Sequence, residues 1–187
     1  MSELHTWLAE EAALRQRWQQ TVALDGARWR ERLPQMDGMA QLQALLRGEA
    51  PPPSIGRTLD FLLMSAEPGR AVFQGTPGPG HLNPMGGVHG GWYASILDSA
   101  LGCSVHTKMP AGRGYTTLEL KLNMIRALKP TVQRVRAIGA VIHVGNQTAT
   151  AEARLVGPDG KLYAHATTTC LVFALPSSHQ QPGNSHA

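Results

Sequence analysis

The chain has 187 residues, 42% hydrophobic and only 16% charged. That length and composition fit one domain with a real core, exclude a disordered polyelectrolyte and argue against a coiled-coil rod. The net charge is +4, but the 17 Lys and Arg residues are scattered and aromatics are 5% of the chain, so no nucleic-acid stripe is expected and a phosphate-bearing small molecule suits the balance as well.

Cys103 and Cys170 form no C-x-x-C pair, and the eight histidines show no ligand spacing; no metal or other cofactor is expected. The N-terminal stretch carries Glu3, Glu10, Glu11, Arg15 and Arg17 instead of an apolar signal region. No run of about 18 apolar residues occurs anywhere. The expectation is a cytoplasmic protein with reduced thiols and no membrane span.

Leu4, Leu8, Leu14, Trp18, Val22, Trp29 and Leu33 recur at roughly helical spacing, which predicts a helix over 2–33. A second helix is predicted over 38–47, with Asp37 as its N-cap and Gly48 as its stop. Pro51, Pro52 and Pro53 then break the chain. Residues 1–53 read as a helical extension, 54–175 as the domain, and 176–187 as a polar, frayed tail. The domain opens with strand candidates at 59–66 and 70–76. The loop after them alternates Gly75, Gly78 and Gly80 with Pro77 and Pro79. It is no phosphate loop, because proline removes the N–H donors such a loop needs. A helix follows over 88–106. Four strands are then predicted near 114–126, 131–143, 147–156 and 161–174, divided by turn signals at Lys129-Pro130, Gly145-Asn146 and Pro158-Asp159-Gly160. Two strands, a helix and a strand meander predict an α+β fold with a mostly antiparallel sheet.

The 88–106 helix is apolar or small nearly all round and should be buried. Asp98 is its only carboxylate. An unpaired buried carboxylate is costly, so Asp98 is either structural, bonded to Ser99, Thr116 or backbone, or catalytic. Gly90 and Gly91 open the helix, where first-turn N–H groups lack helical partners and the dipole is positive. An oxyanion could bind there; a tight turn that requires glycine explains the same residues. No G-x-S-x-G or HExxH occurs.

The segment His81-Leu82-Asn83-Pro84-Met85-Gly86-Gly87-Val88-His89-Gly90-Gly91, followed by Leu97-Asp98-Ser99-Ala100, resembles the signature of hotdog-fold acyl-CoA thioesterases. The likeness is to the phenylacetate-pathway, PaaI-like branch. Gly114-Tyr115-Thr116-Thr117-Leu118-Glu119 resembles the family's next strand. The resemblance spans about residues 54–175 and implies a long helix wrapped by a curved antiparallel sheet. It also implies a homodimer or homotetramer with the site at the dimer interface. Asp98 then matches the catalytic carboxylate and Gly90 the oxyanion donor, with Asn83 and His89 as polar positioning residues. The strand-start hydroxyl is Thr117 or Thr116. By position, CoA contacts fall on Arg126 to Lys129 and on the turn His143, Gly145 and Asn146.

The implied reaction is hydrolysis of an acyl-CoA thioester, with Asp98 as general base or nucleophile. A hotdog hydratase is disfavoured. Its Asp-x-x-x-x-His pattern meets Cys103 here, and the acid expected fourteen residues after His81 is Ser95. A non-catalytic acyl-CoA-binding protein is the other alternative. Trp92, Tyr93, Met124 and Ile125 are expected either to line the acyl pocket or to pack the core or interface.

Overall fold

The computed structural model describes residues 2–21 and 25–175. Val22 and the expected tail from Pro176 lie outside them. The first predicted helix is two. Helix α1, Glu3–Gln20, starts at Ser2 and stops where Thr21 turns extended. Helix α2, Gly26–Arg32, restarts at Asp25, whose carboxylate accepts from the Ala27 and Arg28 N–H groups at 2.9 and 3.0 Å. A capping aspartate satisfies amides that a continuous helix would not have left open, so apolar period alone overran the break. Helix α3, Gly38–Arg47, has the expected ends: Asp37 accepts from Ala40 N–H at 2.7 Å, and Gly48 takes φ 79°. A five-residue helix α4, Ser54–Thr58, follows the prolines. It is too short to show an apolar period.

The strands are β1 Phe61–Glu67, β2 Arg70–Gly75, β3 Arg113–Met124, β4 Val135–Val144, β5 Thr148–Val156 and β6 Leu162–Ala174; helix α5, Gly90–His106, lies between β2 and β3. All pairings are antiparallel, in the order β1-β2-β4-β5-β6-β3. The expected meander therefore holds for β4, β5 and β6 only. Strand β3 leaves its neighbour in sequence and pairs with β6, from Arg113 opposite Ala174 to Met124 opposite Ala164. Turn residues signal local hairpins, whereas a non-local pairing carries no turn signature.

Helix α5 is the centre of the core: Ile96, Leu97, Ala100, Leu101 and Val105 are fully buried. It touches the sheet backbone closely. At Gly139 of β4 an added Cβ would lie 2.2 Å from the Ala100 carbonyl oxygen, and at Gly102 of α5 one would lie 2.7 Å from the Tyr115 hydroxyl. The Gly139 contact is with backbone and requires glycine, whereas at Gly102 the Tyr115 side chain would have to shift.

Helix α1 covers the outer side of β2. Glu11 is buried there, paired with Arg134 at 2.6 Å and Arg15 at 2.8 Å, and accepts from the Gln74 amide at 2.8 Å. Trp7 is buried with the Arg136 guanidinium 4.4 Å from its ring centre, and Glu10 pairs with the same arginine. The two sheet edges differ in consequence. Helix α3 flanks β1, where the Gln43 amide donates to the Ala66 carbonyl at 3.2 Å. On β3 no strand among the described residues pairs with the outer edge, and Leu118 and Met124 are 60% and 56% exposed.

Candidate active site

Asp98 is half-buried on α5 and faces a cavity of about 600 Å³. Its Oδ1 accepts from the Thr117 hydroxyl at 3.0 Å. That bond resolves the choice of threonine by geometry: Thr117 lies under the helix, and Thr116, its neighbour in a strand of alternating faces, is exposed. Ser99 instead donates to the Ser95 carbonyl at 2.8 Å. One wall of the cavity is Asp98, Ser99, Gly102 and Cys103 from α5 with Tyr115 and Thr117 from β3. Burial pushes the Cys103 thiol up to about 12, helped by the nearby Asp98 charge, and lifts the Tyr115 hydroxyl well above its ordinary range. Both groups stay protonated and neutral beside the carboxylate, so neither competes with it as a base.

The start of α5 forms a second polar cluster. His89 is its N-cap, and Nδ1 accepts from the Gly91 N–H at 2.9 Å. That bond assigns the ring proton to Nε2 when His89 is neutral. The Asn83 side chain accepts from the Met85 and Gly87 N–H groups at 2.9 and 3.2 Å, and its backbone N–H donates to the Gly87 carbonyl at 2.8 Å. Asn83 thus ties off the loop that delivers the helix. Gly90 N–H makes no hydrogen bond among the described residues. A Cβ at Gly90 would meet the end of the Met124 side chain at 3.3 Å, so this helix end lies over the end of β3.

Within one chain these clusters do not meet. Eight residues of helix separate Gly90 from Asp98, a rise of about 12 Å. The expected CoA contacts are also apart. Arg126 and Lys129 are exposed just beyond Met124 at one end of β3. His143 lies near the end of β4, and Gly145 and Asn146 occupy the β4–β5 turn, beside the Arg113 end, where the Arg113 guanidinium bonds the Asn146 carbonyl.

Of the four candidate pocket residues, Trp92 and Tyr93 are core. Trp92 Nε1 donates to the Leu59 carbonyl at 2.8 Å, and the Tyr93 hydroxyl accepts from Leu128 N–H at 2.6 Å. Met124 and Ile125 are exposed near the β3 end. The residues that do face Asp98 across the cavity were missed by sequence. They include Arg15 and Trp18 of α1, Leu42 and Leu45 of α3, and Ile55 of α4. Their apolar spacing was readable, but nothing in it named what they would cover. Among the described residues no three His, Cys, Asp or Glu side chains group as metal ligands, and no helix is long and apolar enough to cross a membrane.

Residues 85–164 match the thioesterase superfamily. None of the curated proteins compared with the chain matches it. Among solved structures, a phenylacetic acid degradation-related protein from Ralstonia eutropha is 29% identical with a TM-score of 0.63; the match covers 69% of this chain and 97% of that one. The phenylacetic acid degradation protein PaaI from Thermus thermophilus, in a mutant form, is 27% identical with a TM-score of 0.57, covering 64% of this chain and 98% of that one. A thioesterase from Haemophilus influenzae is 15% identical with a TM-score of 0.63, covering 76% and 94% respectively, a likeness of fold alone.

Proposed function

We propose that this PaaI-like hotdog domain of the thioesterase superfamily hydrolyses acyl-CoA thioesters to the free acid and CoA, as a homodimer or as a homotetramer made of two such dimers. The observation that carries it is Asp98: a carboxylate held by Thr117 on the wall of a mostly apolar cavity, with a free helix-start amide on the same helix.

Strand geometry supports a shared site. Edge pairing of two copies through β3 is isologous and antiparallel. A two-fold axis between Leu120 and Lys121 sets Thr117 opposite Met124 of the partner subunit. Asp98 sits over Thr117 and Gly90 over Met124, so the same axis brings Asp98 to Gly90 of the partner subunit. It also brings the Arg126–Lys129 end of one copy to the His143–Asn146 end of the other, which suits a long polyphosphate ligand.

In the reaction the thioester oxygen lies on the Gly90 amide, where the helix dipole and the N–H favour the developing negative charge. Asp98, oriented by Thr117, takes a proton from the water that attacks the carbonyl carbon, or attacks that carbon itself. On the first route the C–S bond breaks and the proton held by Asp98 passes to the departing CoA thiolate; on the second the thiolate leaves and takes a proton from water, and a water then hydrolyses the Asp98 acyl anhydride to the free acid. His89 and Asn83 act at one remove, by fixing the first turn that carries Gly90.

Thiol release from an acyl-CoA panel tests the activity; no release from any member ends the hydrolase reading. Subunit mixing tests the shared site. Asp98→Asn and Gly90→Val should each be inactive alone. An equimolar mixture, allowed to exchange subunits, should regain about a quarter of wild-type turnover, because about half of the dimers are then mixed and each of these holds one intact site of two. Inactive mixtures would refute the shared site.

A further inference from the structure

The cavity at Asp98 is built jointly by the hotdog domain and by helices outside the region that matches the superfamily. Trp18, Leu42, Leu45 and Ile55 contribute the second wall, and all four precede residue 85. The extension is not loosely attached at this point. Trp18 Nε1 donates to the Leu45 carbonyl at 2.9 Å, tying α1 to α3. Phe61 and Leu63 of β1 and Phe73 of β2 join the two walls. At the rim, Arg15 and Asp60 pair at 3.9 Å with both side chains about half exposed.

We propose that the N-terminal helices form the acyl-group pocket of this enzyme, and that the pocket selects a medium- to long-chain fatty acyl group over a short one. The inference rests on the thioesterase reading above and adds the substrate class to it. Three observations carry it. On the α5 face of the cavity Asp98 stands beside Ser99, Gly102 and Cys103, whose thiol burial keeps protonated, so a ligand reaching inward from Asp98 meets largely apolar wall. A volume of about 600 Å³ is within the usual range for small-molecule sites. It equals about twenty water volumes, enough for about ten to fourteen acyl carbons with room left over. An acetyl group would leave most of it wet or empty. Finally, Ile55 lines the cavity while 48% exposed, an apolar surface that a bound chain would cover.

The test is a chain-length series of acyl-CoA esters from acetyl to tetradecanoyl, assayed for kcat/KM with wild-type protein, Leu45→Trp and Ile55→Trp. Both substitutions add bulk toward the cavity, from α3 and α4, and leave α5 and β3 untouched. Wild-type kcat/KM should rise by about two- to fourfold per added CH₂ until the cavity is filled. The decanoyl-to-acetyl ratio should fall by about tenfold or more in at least one variant that still melts cooperatively. A flat wild-type profile overturns the proposal, as do ratios within about threefold of wild type in both variants. Either result leaves the hydrolase reading standing if thiol is released. If no ester is cleaved, calorimetry with the uncleavable thioether S-decyl-CoA decides. Binding about tenfold tighter than CoA alone in wild type, with that advantage lost in a variant, keeps the pocket while the hydrolase reading falls. Equal binding of S-decyl-CoA and CoA overturns both.

Discussion

Two regions of the molecule bind to the same sheet by different physics. Helix α5 is held by burial: Ile96, Leu97, Ala100 and Leu101 are wholly inside, and glycines let it lie against backbone. The N-terminal helices add apolar side chains to that core, Leu14, Leu42 and Leu46 among them. Helix α1, however, sits on the outer sheet face through charge and hydrogen bonds, Glu11 to Arg134 and Gln74 and Arg136 to Trp7 and Glu10. Apolar side chains neither titrate nor lose contacts to charge screening, whereas an ion-pair anchor responds to pH and to ionic strength. The helix that carries the candidate chemistry should therefore be the rigid part, and helix α1 the part that can open.

The largest effect should come from Asp98→Asn, which separates chemistry from packing within the rigid region. Asparagine keeps the acceptor for the Thr117 hydroxyl but cannot take the proton. Turnover should fall by about 10²–10⁴-fold. Asp98 is only half-buried and faces a cavity, so the melting temperature should move little. A variant that keeps more than about a tenth of wild-type turnover would remove Asp98 from the mechanism. A variant that loses both stability and rate would make it a structural residue.

Breaking the anchor should do the reverse. Burial pushes the Glu11 carboxyl up, but hydrogen bonds from Arg134, Gln74 and Arg15 outweigh it and leave the group below the usual carboxylate range. Glu11→Ala removes the carboxylate on which Gln74, Arg134 and Arg15 converge, leaving Gln74 with the Trp7 carbonyl and Arg134 with the Gln133 carbonyl. Removing one member of a buried pair costs about 3–5 kcal/mol. Arg15 and, less so, Arg134 reach solvent, which reduces the expected loss to about 2 kcal/mol. Hydrogen exchange should rise over residues 3–20 and hold over 90–106. Equal rises in both segments would show that the regions open as one unit.

Much of the hotdog domain was legible because its signals are local. Asp37 and Gly48 marked the ends of α3, Gly145-Asn146 the β4–β5 turn, and the His89-Gly90-Gly91 to Asp98 spacing the two polar points of α5. What sequence could not supply were relations across the chain. Strand β3 joins β6 and not β4, and no turn announces it. Trp18 and Leu45 read as ordinary helix positions until α1 and α3 fold over Asp98. The Asp25 cap was present in the sequence but was overridden by an apolar period that happened to continue through it. Thr117 and Thr116 are adjacent and chemically alike, so only the pleat of β3 could choose between them.

The smallest effect expected lies where the two regions meet. His106 closes α5, and α3 packs on it so closely that a Cβ at Gly38 would fall 1.8 Å from the His106 carbonyl oxygen. Its Nε2 is 2.9 Å from Gln41 Oε1, its ring centre is 5.7 Å from that of Tyr115, and its buried Nδ1 has no partner among the described residues. With Gln41 Oε1 as the acceptor, the proton sits on Nε2 and the ring is neutral. Burial pulls its pKa below the ordinary histidine value, while the Asp37 charge pulls weakly the other way. A histidine depressed in the folded state is protonated more readily once unfolded. Its contribution to stability is thus complete above the unfolded value of about 6.5 and declines as pH falls through it toward the folded value. The Glu11 contribution is lost only at lower pH, below the ordinary carboxylate value of about 4.3, so the windows do not overlap. Between pH 7 and pH 5 the wild-type melting temperature should therefore fall further than that of His106→Gln, which cannot titrate. Hydrogen exchange should place the acid-induced opening in α3 and not in the middle of α5. Parallel pH slopes in the two proteins would mean that the protonated ring is accommodated, and that the joint between extension and core is looser than the Gly38 contact implies.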